Sequence, residues 1–445
     1  MTSETNALVS QVTIHWSLIT GHRSLFTGHS SLVTIKNQQL KYEHLIAQRF
    51  LQRDKHNFSR PLVNIATYTI ALGIVVMIMA VSILRGFQQN ITDKVTGFGA
   101  HITVHSQAWT ADYDDAYITM SPSEADALRH LPLIANIQPT ATKGGMLKTD
   151  SQIQGIILKG IDHTFDTTFF ARNLVSGHLP ATGDTNATNQ IIISQRLAQK
   201  MDLNLGDKAR TYFWAGNTYR ARALVVTGIY NTDLAEFDDH YIIGNIDLIR
   251  RLNNWPPDAA SAYEINIRNF SQLDQALALV KDNTPFNLAV HSIVEQQPSM
   301  FAWLNLLNSN IILILIILAV VTSASIVSAL LIMIFEKTAM IGLLKTLGAT
   351  NRSIRHIFIL KANTIILKAL ILGNAVAAAL CLLQHRLHIL RLDPESYSMP
   401  YVPIDPNPLI FILVSIATAA IANAALLIPT TAIAHIHPAK TTRQE

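Results

Sequence analysis

This sequence is poor in charge and nearly devoid of cysteine. Only 14% of its 445 residues are Asp, Glu, Lys or Arg, while 49% are hydrophobic. Soluble chains carry roughly 25% charge, so a protein soluble throughout is excluded. The single cysteine, Cys381, lies in an apolar run. That excludes an intramolecular disulfide and a cysteine-based metal centre, and leaves Cys381 as a small apolar filler of a membrane helix. The phosphate loop G-x-x-x-x-G-K-[ST] is absent, as are G-x-S-x-G, H-E-x-x-H and paired C-x-x-C. The chain therefore carries none of the usual motifs for cradling nucleotide phosphate, activating a serine or binding catalytic zinc. It also lacks a stripe of Lys and Arg interleaved with aromatics, so nucleic acid is not an expected partner.

Four long apolar runs are present, covering residues 61–85, 306–335, 359–383 and 408–434. At about 1.5 Å per residue, each is long enough for a hydrocarbon core of roughly 30 Å. The first comes too late and runs too long for a cleaved signal peptide, so it reads as a signal anchor. Lys361 and Lys368 enter the third run near its basic flank, where a lysine can snorkel to the headgroups.

The net charge of +4 conceals an asymmetry. Residues 90–305 hold 16 Lys and Arg against 22 Asp and Glu, and the rest of the chain holds 18 against 8. Basic residues cluster before the first run, between the second and third (Lys337, Lys345, Arg352, Arg355) and in the tail (Lys440, Arg443). The positive-inside rule places those segments and both termini in the cytoplasm, and the acidic block outside, in a periplasm-like space. The expected fold is an α-helical membrane protein with four transmembrane helices. A large α/β extracytoplasmic domain, residues 88–303, is inserted between the first two, and a periplasmic loop, 385–407, joins the last two.

Within the acidic block, HITVH (101–105), GIILKGI (155–161), QIIIS (190–194), ALVVTGIY (223–230) and YEINI (263–267) read as strands. SEADALRHL, SQRLAQKM and SQLDQALALVKD read as helices. EFDDH, Glu236 to His240, could ligate a metal through Asp238, Asp239 and His240, but reads more simply as a solvated loop. At the amino terminus, SLITGHRSLFTGHSSLVT repeats without helical apolar pairing. Residues 1–40 are thus expected to be a disordered or spurious extension, with a metal tract at His22 and His29 as the alternative. Residues 41–60 carry Ile46, Phe50 and Leu51 on one side of a basic helix, which predicts a helix lying on the membrane surface. Residues 435–445 form a cytoplasmic tail.

Between the second and third runs lies EKTAMIGLLKTLGATNRSIRHIF. As a helix from Glu336 to Leu347 it places Met340, Leu343, Leu344 and Leu347 on one face with Ile341 at the edge. Thr338, Gly342, Lys345 and Thr346 fall opposite. Gly348 is suited to stop the helix, and Thr350 or Asn351 to cap the next. Two readings follow: a helix resting on headgroups, or a knob entering a groove on a cytoplasmic partner.

This segment resembles the cytoplasmic connection after the second span of FtsX/MacB-type permeases, the membrane subunits of type VII ABC transporters, where E-[KR]-T-x-x-I-G-[IL]-x-[KR]-x-L-G-A recurs. The four-span layout agrees. KHNFSRPLVNIATYTIALGIVVMIMAVSILRGFQQNITDKVTGFGAHITV and LDPESYSMPYVPID further resemble the lipoprotein-releasing permeases of LolC/LolE type, and the likeness covers roughly residues 41–440. It implies an inner-membrane subunit that is not an enzyme and binds no cofactor, with ATP and magnesium held by a separate cytoplasmic P-loop ATPase dimer. A second permease subunit, either the same chain or a paralogue, would complete the transporter. Residues 336–356 become a coupling helix and turn. Met340, Ile341, Leu343, Leu344 and Leu347 would enter the ATPase, and Lys337 and Lys345 would meet its acidic rim. Glu336, Gly342, Gly348 and Ala349 complete the motif. Lipoprotein acyl chains would enter between spans 1 and 2 of the two permeases, and the external domain would pass the cargo to a periplasmic carrier chaperone. Two other functions remain open: a mechanotransmitter for cell-wall hydrolases or adaptor-linked export, and a membrane-anchored ligand sensor.

Overall fold

The computed structural model describes residues 59–107, 116–150, 152–182, 188–215 and 218–430. The expected extension 1–40, nearly all of the surface helix 41–60 and the tail 435–445 lie outside the described residues. Four described helices are long and apolar enough to cross a membrane: α1 (Ser59–Gly99) and, later in the chain, Pro298–Glu336, Asn351–Leu387 and the segment beginning at Pro408. All the described strands come between the first and second of these in chain order.

The chain divides into two compact units. One holds residues up to Gly73, Ala319–Leu372 and the residues from Ile416 onward; the other holds Ile74–Leu318 and Gly373–Ser415. The second unit contains the α/β domain. Its strands are β1 (Ile102–Ser106), β2 (Ile134–Lys148), β3 (Ile153–Ile161), β4 (Leu174–Gly177), β5 (Gln190–Ser194), β6 (Lys208–Ala215), β7 (Thr218–Tyr230), β8 (Tyr241–Asn245), β9 (Ala262–Ile267) and β10 (Leu288–Ser292). Six of them close on themselves. β2 pairs with β3, β3 with β8, β8 with β5, β5 with β7, β7 with β6, and β6 returns to β2. Closure removes the exposed edges that would otherwise template pairing with another chain. The first half of β2 continues the sheet outward through β9, β1 and β10.

Helices α2 (Pro122–Arg129), α3 (Thr168–Arg172), α4 (Gln195–Met201), α5 (Ala235–Asp238), α6 (Ile246–Asn253) and α7 (Leu273–Asp282) accompany the strands, followed by the single turn α8 (Ile293–Gln296). Their starts follow capping chemistry. Ser121 and Ser292 form full capping boxes with Glu124 and Glu295, while Ser194 and Asn245 accept from backbone amides of α4 and α6.

The end of α1 is embedded in this domain. Phe98 is 2% exposed and is ringed by Phe169, Phe170, Tyr230, Phe237 and Tyr241, with Phe237 stacked at 4.8 Å. Above the rings, Lys159 of β3 donates to the Phe98 carbonyl and pairs with Glu264 of β9 at 2.6 Å. Gln138 of β2 donates to the other Glu264 oxygen at 3.4 Å. A cation at this position meets the negative end of the helix dipole as well as the carboxylate.

EFDDH is not the solvated loop its composition suggested. It forms α5 and the residues after it, and Asp238 is 2% exposed. The Asp238 carboxylate accepts from the Thr232 hydroxyl at 2.7 Å and the Thr232 amide at 3.1 Å, Asp239 accepts from Arg196 at 2.6 Å, and His240 lies 3.2 Å from the Gly155 carbonyl. Each candidate ligand is thus engaged with protein, and among the described residues no His, Cys, Asp and Glu are grouped to hold a metal. Burial pushes the Asp238 carboxyl up from 3.8 to about 6, against the Thr232 hydrogen bonds. A raised acid favours the folded state below its pKa, so ionising Asp238 above pH 6 costs up to about 3 kcal/mol. Asp238→Asn is expected to be more stable than the parent at pH 7.5, with the gap narrowing below pH 6 and closing only below pH 3.8. Unfolding midpoints followed by intrinsic fluorescence would measure this; a gap independent of pH would refute the assignment.

Candidate coupling site

Helix α9 (Pro298–Glu336) passes into α10 (Thr338–Thr346) through one residue, Lys337. The Thr338 hydroxyl turns back to the Phe335 carbonyl at 2.6 Å and supplies a donor where the helical ladder breaks. Glu336 and Lys337 pair with each other at 3.9 Å, and the Lys337 side chain is only 13% exposed. Lys345, like Lys337, is half-buried.

The orientation of α10 is the informative feature. Ile341 and Gly342 are its buried residues, whereas Leu343 is 55% and Leu347 43% exposed. Met340 and Leu344 are half-buried. The helix thus packs on the side that the sequence pattern gave to Gly342 and turns its leucine stripe outward. Ile341 is turned inward, and Leu343 and Leu347 are more exposed than Met340 and Leu344.

The stop is a Schellman turn. Gly348 has φ of +89°, its amide donates to the Lys345 carbonyl at 3.0 Å, and the Ala349 amide donates to the Leu344 carbonyl at 2.9 Å. Thr350 caps the following helix, α11 (Asn351–Leu387), by accepting from the Ser353 amide at 3.2 Å. Two short-range locks therefore fix the reversal within three residues, so α10 is held at a set angle to α11. Further along α11, Lys368 is exposed and Lys361 half-buried. The remaining helices are α12 (Pro394–Tyr397), α13 (Pro408–Ala425) and α14 (Leu427–Thr430). Cys381 is buried on α11 with its sulfur 3.5 Å from that of Met79, consistent with an apolar filler.

The structure also shows a surface that the sequence reading passed over. At the end of the β6–β7 hairpin, Trp214 and Tyr219 are each 54% exposed, and their rings meet edge-on at 4.7 Å. The signal was present as aromatics on either side of a Gly-Asn pair, FWAGNTY.

Two family models divide the chain between them: the MacB-like periplasmic core domain matches residues 65–283, and the FtsX-like permease C-terminal region matches 312–438. Curated relatives extend over nearly its whole length. The lipoprotein-releasing system transmembrane protein LolC of Xylella fastidiosa (strain Temecula1) is 21% identical over 90% of this chain and 98% of its own. LolC of Haemophilus influenzae is 22% identical over 80% and 87%, and LolE of the same organism 20% identical over 83% and 91%. Among solved structures, the periplasmic region of MacB from Actinobacillus actinomycetemcomitans is 14% identical and aligns with 46% of this chain and 95% of its own, at a TM-score of 0.32. The extracellular domain of YknZ, also 14% identical, aligns with 43% and 99% at 0.30. This chain belongs to the FtsX/MacB-like ABC transporter permeases and is of the LolC/LolE type. It is accordingly a multi-pass membrane subunit.

Proposed function

We propose that the chain is the permease subunit of an ATP-driven transporter that extracts lipoproteins from the inner membrane and hands them to a periplasmic carrier chaperone. The observation that carries this reading is the end-to-end match to LolC, which spans both the α/β domain and the FtsX-like region. Both termini are cytoplasmic in this reading and the α/β domain is periplasmic. Extraction is strongly uphill, because each acyl CH₂ withdrawn from the bilayer costs about 0.8 kcal/mol. The work comes from a separate P-loop ATPase dimer, into which α10 inserts Leu343 and Leu347, with Met340 and Leu344 at the margin and Lys345 at the acidic rim. The Schellman turn and the Thr350 cap make α10 a rigid knob, so closure of the ATPase moves α9 and α11 with it. The apolar window of α9 is only 11% buried, against 50% for α1, which leaves surface for a second permease, for lipid and for acyl chains. Trp214 and Tyr219 are the candidate contact for the carrier. Withdrawing the chain from cells tests the proposal: lipoproteins destined for the outer membrane should be retained in the inner one.

A further inference from the structure

Ser82, Gly86 and Lys94 lie four and eight residues apart on α1 and so share one face. The segment 393–405 runs along that face. The Asp405 amide donates to the Ser82 carbonyl at 3.1 Å, and the Lys94 ammonium donates to the Ser398 carbonyl at 2.8 Å. Between them, Gly86 lies so close that an added Cβ would stand 2.7 Å from the Pro403 carbonyl oxygen. From Ser82 to Lys94 the helix rises about 18 Å. The segment from Ser398 to Asp405 runs in the opposite direction to α1 and carries Pro400 and Pro403.

Gln384, 4% exposed, ties the base of the loop. Its amide nitrogen donates to the Leu390 and Val402 carbonyls at 3.2 Å, and its oxygen accepts from the Leu390 amide at 2.9 Å. His388 and Ser398 take φ of +48° and +58°, left-handed bends at the two turns of the loop that cost free energy in residues other than glycine. The Lys94 ammonium also lies 4.0 Å from Asp233, at the domain corner that Thr232 and Asp238 brace. Beside that corner is an open cleft of about 550 Å³, lined by Arg196, Asn231, Asp233 and Asp239 and, from the loop, by Pro394.

We propose that segment 393–405 is a strap laid along α1 at the edge of this cleft and that Lys94 is its latch, one ammonium holding the strap to α1 and α1 to the corner of the α/β domain. Because the two contacts share one ammonium, a shift of α1 that breaks them loosens the Ser398 end of the strap, while Gln384 still holds its base. The strap and the domain corner thereby respond to α1 as a unit.

Hydrogen exchange on the full-length protein in lipid nanodiscs tests this. Lys94→Met is expected to speed exchange of the Leu392, Val402 and Asp405 amides by at least about tenfold, the effect of losing a charge-assisted hydrogen bond. Lys94→Arg should keep them slow. Asp233→Asn is the second variant: Asp233 faces the ammonium from the domain side, so its loss too should speed strap exchange through the loosened ammonium. Unchanged exchange in β5 and β9 certifies the fold, and if Lys94→Met unfolds, the Arg and Asn variants decide. Parental strap exchange in Lys94→Met, or an Asp233→Asn effect confined to residues 231–239, would overturn the latch.

Discussion

Replacing Leu343 by Glu is expected to abolish co-purification of the ATPase with this permease. Leu343 is the most exposed leucine of α10 and sits beside Leu347 on the outward face. A leucine buried in a partner groove contributes roughly 1.5–3 kcal/mol, and a glutamate there adds a desolvation cost of several kcal/mol. A total loss near 4 kcal/mol weakens binding about a thousandfold. Leu347→Glu should act in the same direction and less severely, since Leu347 is less exposed and closes the helix. Membrane insertion should be untouched, because neither residue lies in an apolar run. Ile341→Glu is the wrong probe: Ile341 is fully buried, so a charge there disrupts α10 itself. Full ATPase binding by Leu343→Glu would leave α10 as a helix resting on headgroups.

The second large effect lies in the α/β domain. Lys159→Met should destabilise it by about 3–5 kcal/mol, because Glu264 and the Phe98 carbonyl then lose their cation in a site from which water is excluded. The side chains of Lys159 and Glu264 are 3% and 9% exposed, so screening by solvent gives little relief. The double variant Lys159→Met, Glu264→Leu should recover much of the loss, since an apolar pair of similar volume needs no counter-charge. Denaturant unfolding of both variants measures this. Equal destabilisation of single and double variants would assign the site to packing and not to charge. The loss would also loosen the last turn of α1 from its nest of rings.

Much of this architecture was legible from hydrophobic period alone. QIIIS became β5 residue for residue, because a run of isoleucines buried on both faces has few other options. β2 was not legible. Its sequence, IANIQPTATKGGMLK, contains a proline and a glycine pair, residues that weaken a strand. It is a strand because β3 pairs along one edge while β9 and then β6 pair along the other, and Gly145 leaves room for the Phe213 ring. Tertiary pairing of that kind leaves no local trace. The same limit applies at α10. The stripe and the glycine stop could be read from spacing, but which side is buried depends on what α10 packs against, so the burial of Ile341 could not be. Asp238 and Lys94 were hidden for a related reason: a polar residue in a polar stretch gives no sign that it will be buried or bridged.

The most direct test of the account is the fate of lipoproteins when this chain is withdrawn from cells and then resupplied. Fractionated membranes should show outer-membrane lipoproteins accumulating in the inner membrane within a few generations. The parental chain should reverse this, and the Leu343→Glu chain, though inserted, should not. Normal sorting throughout depletion would contradict lipoprotein release as the function.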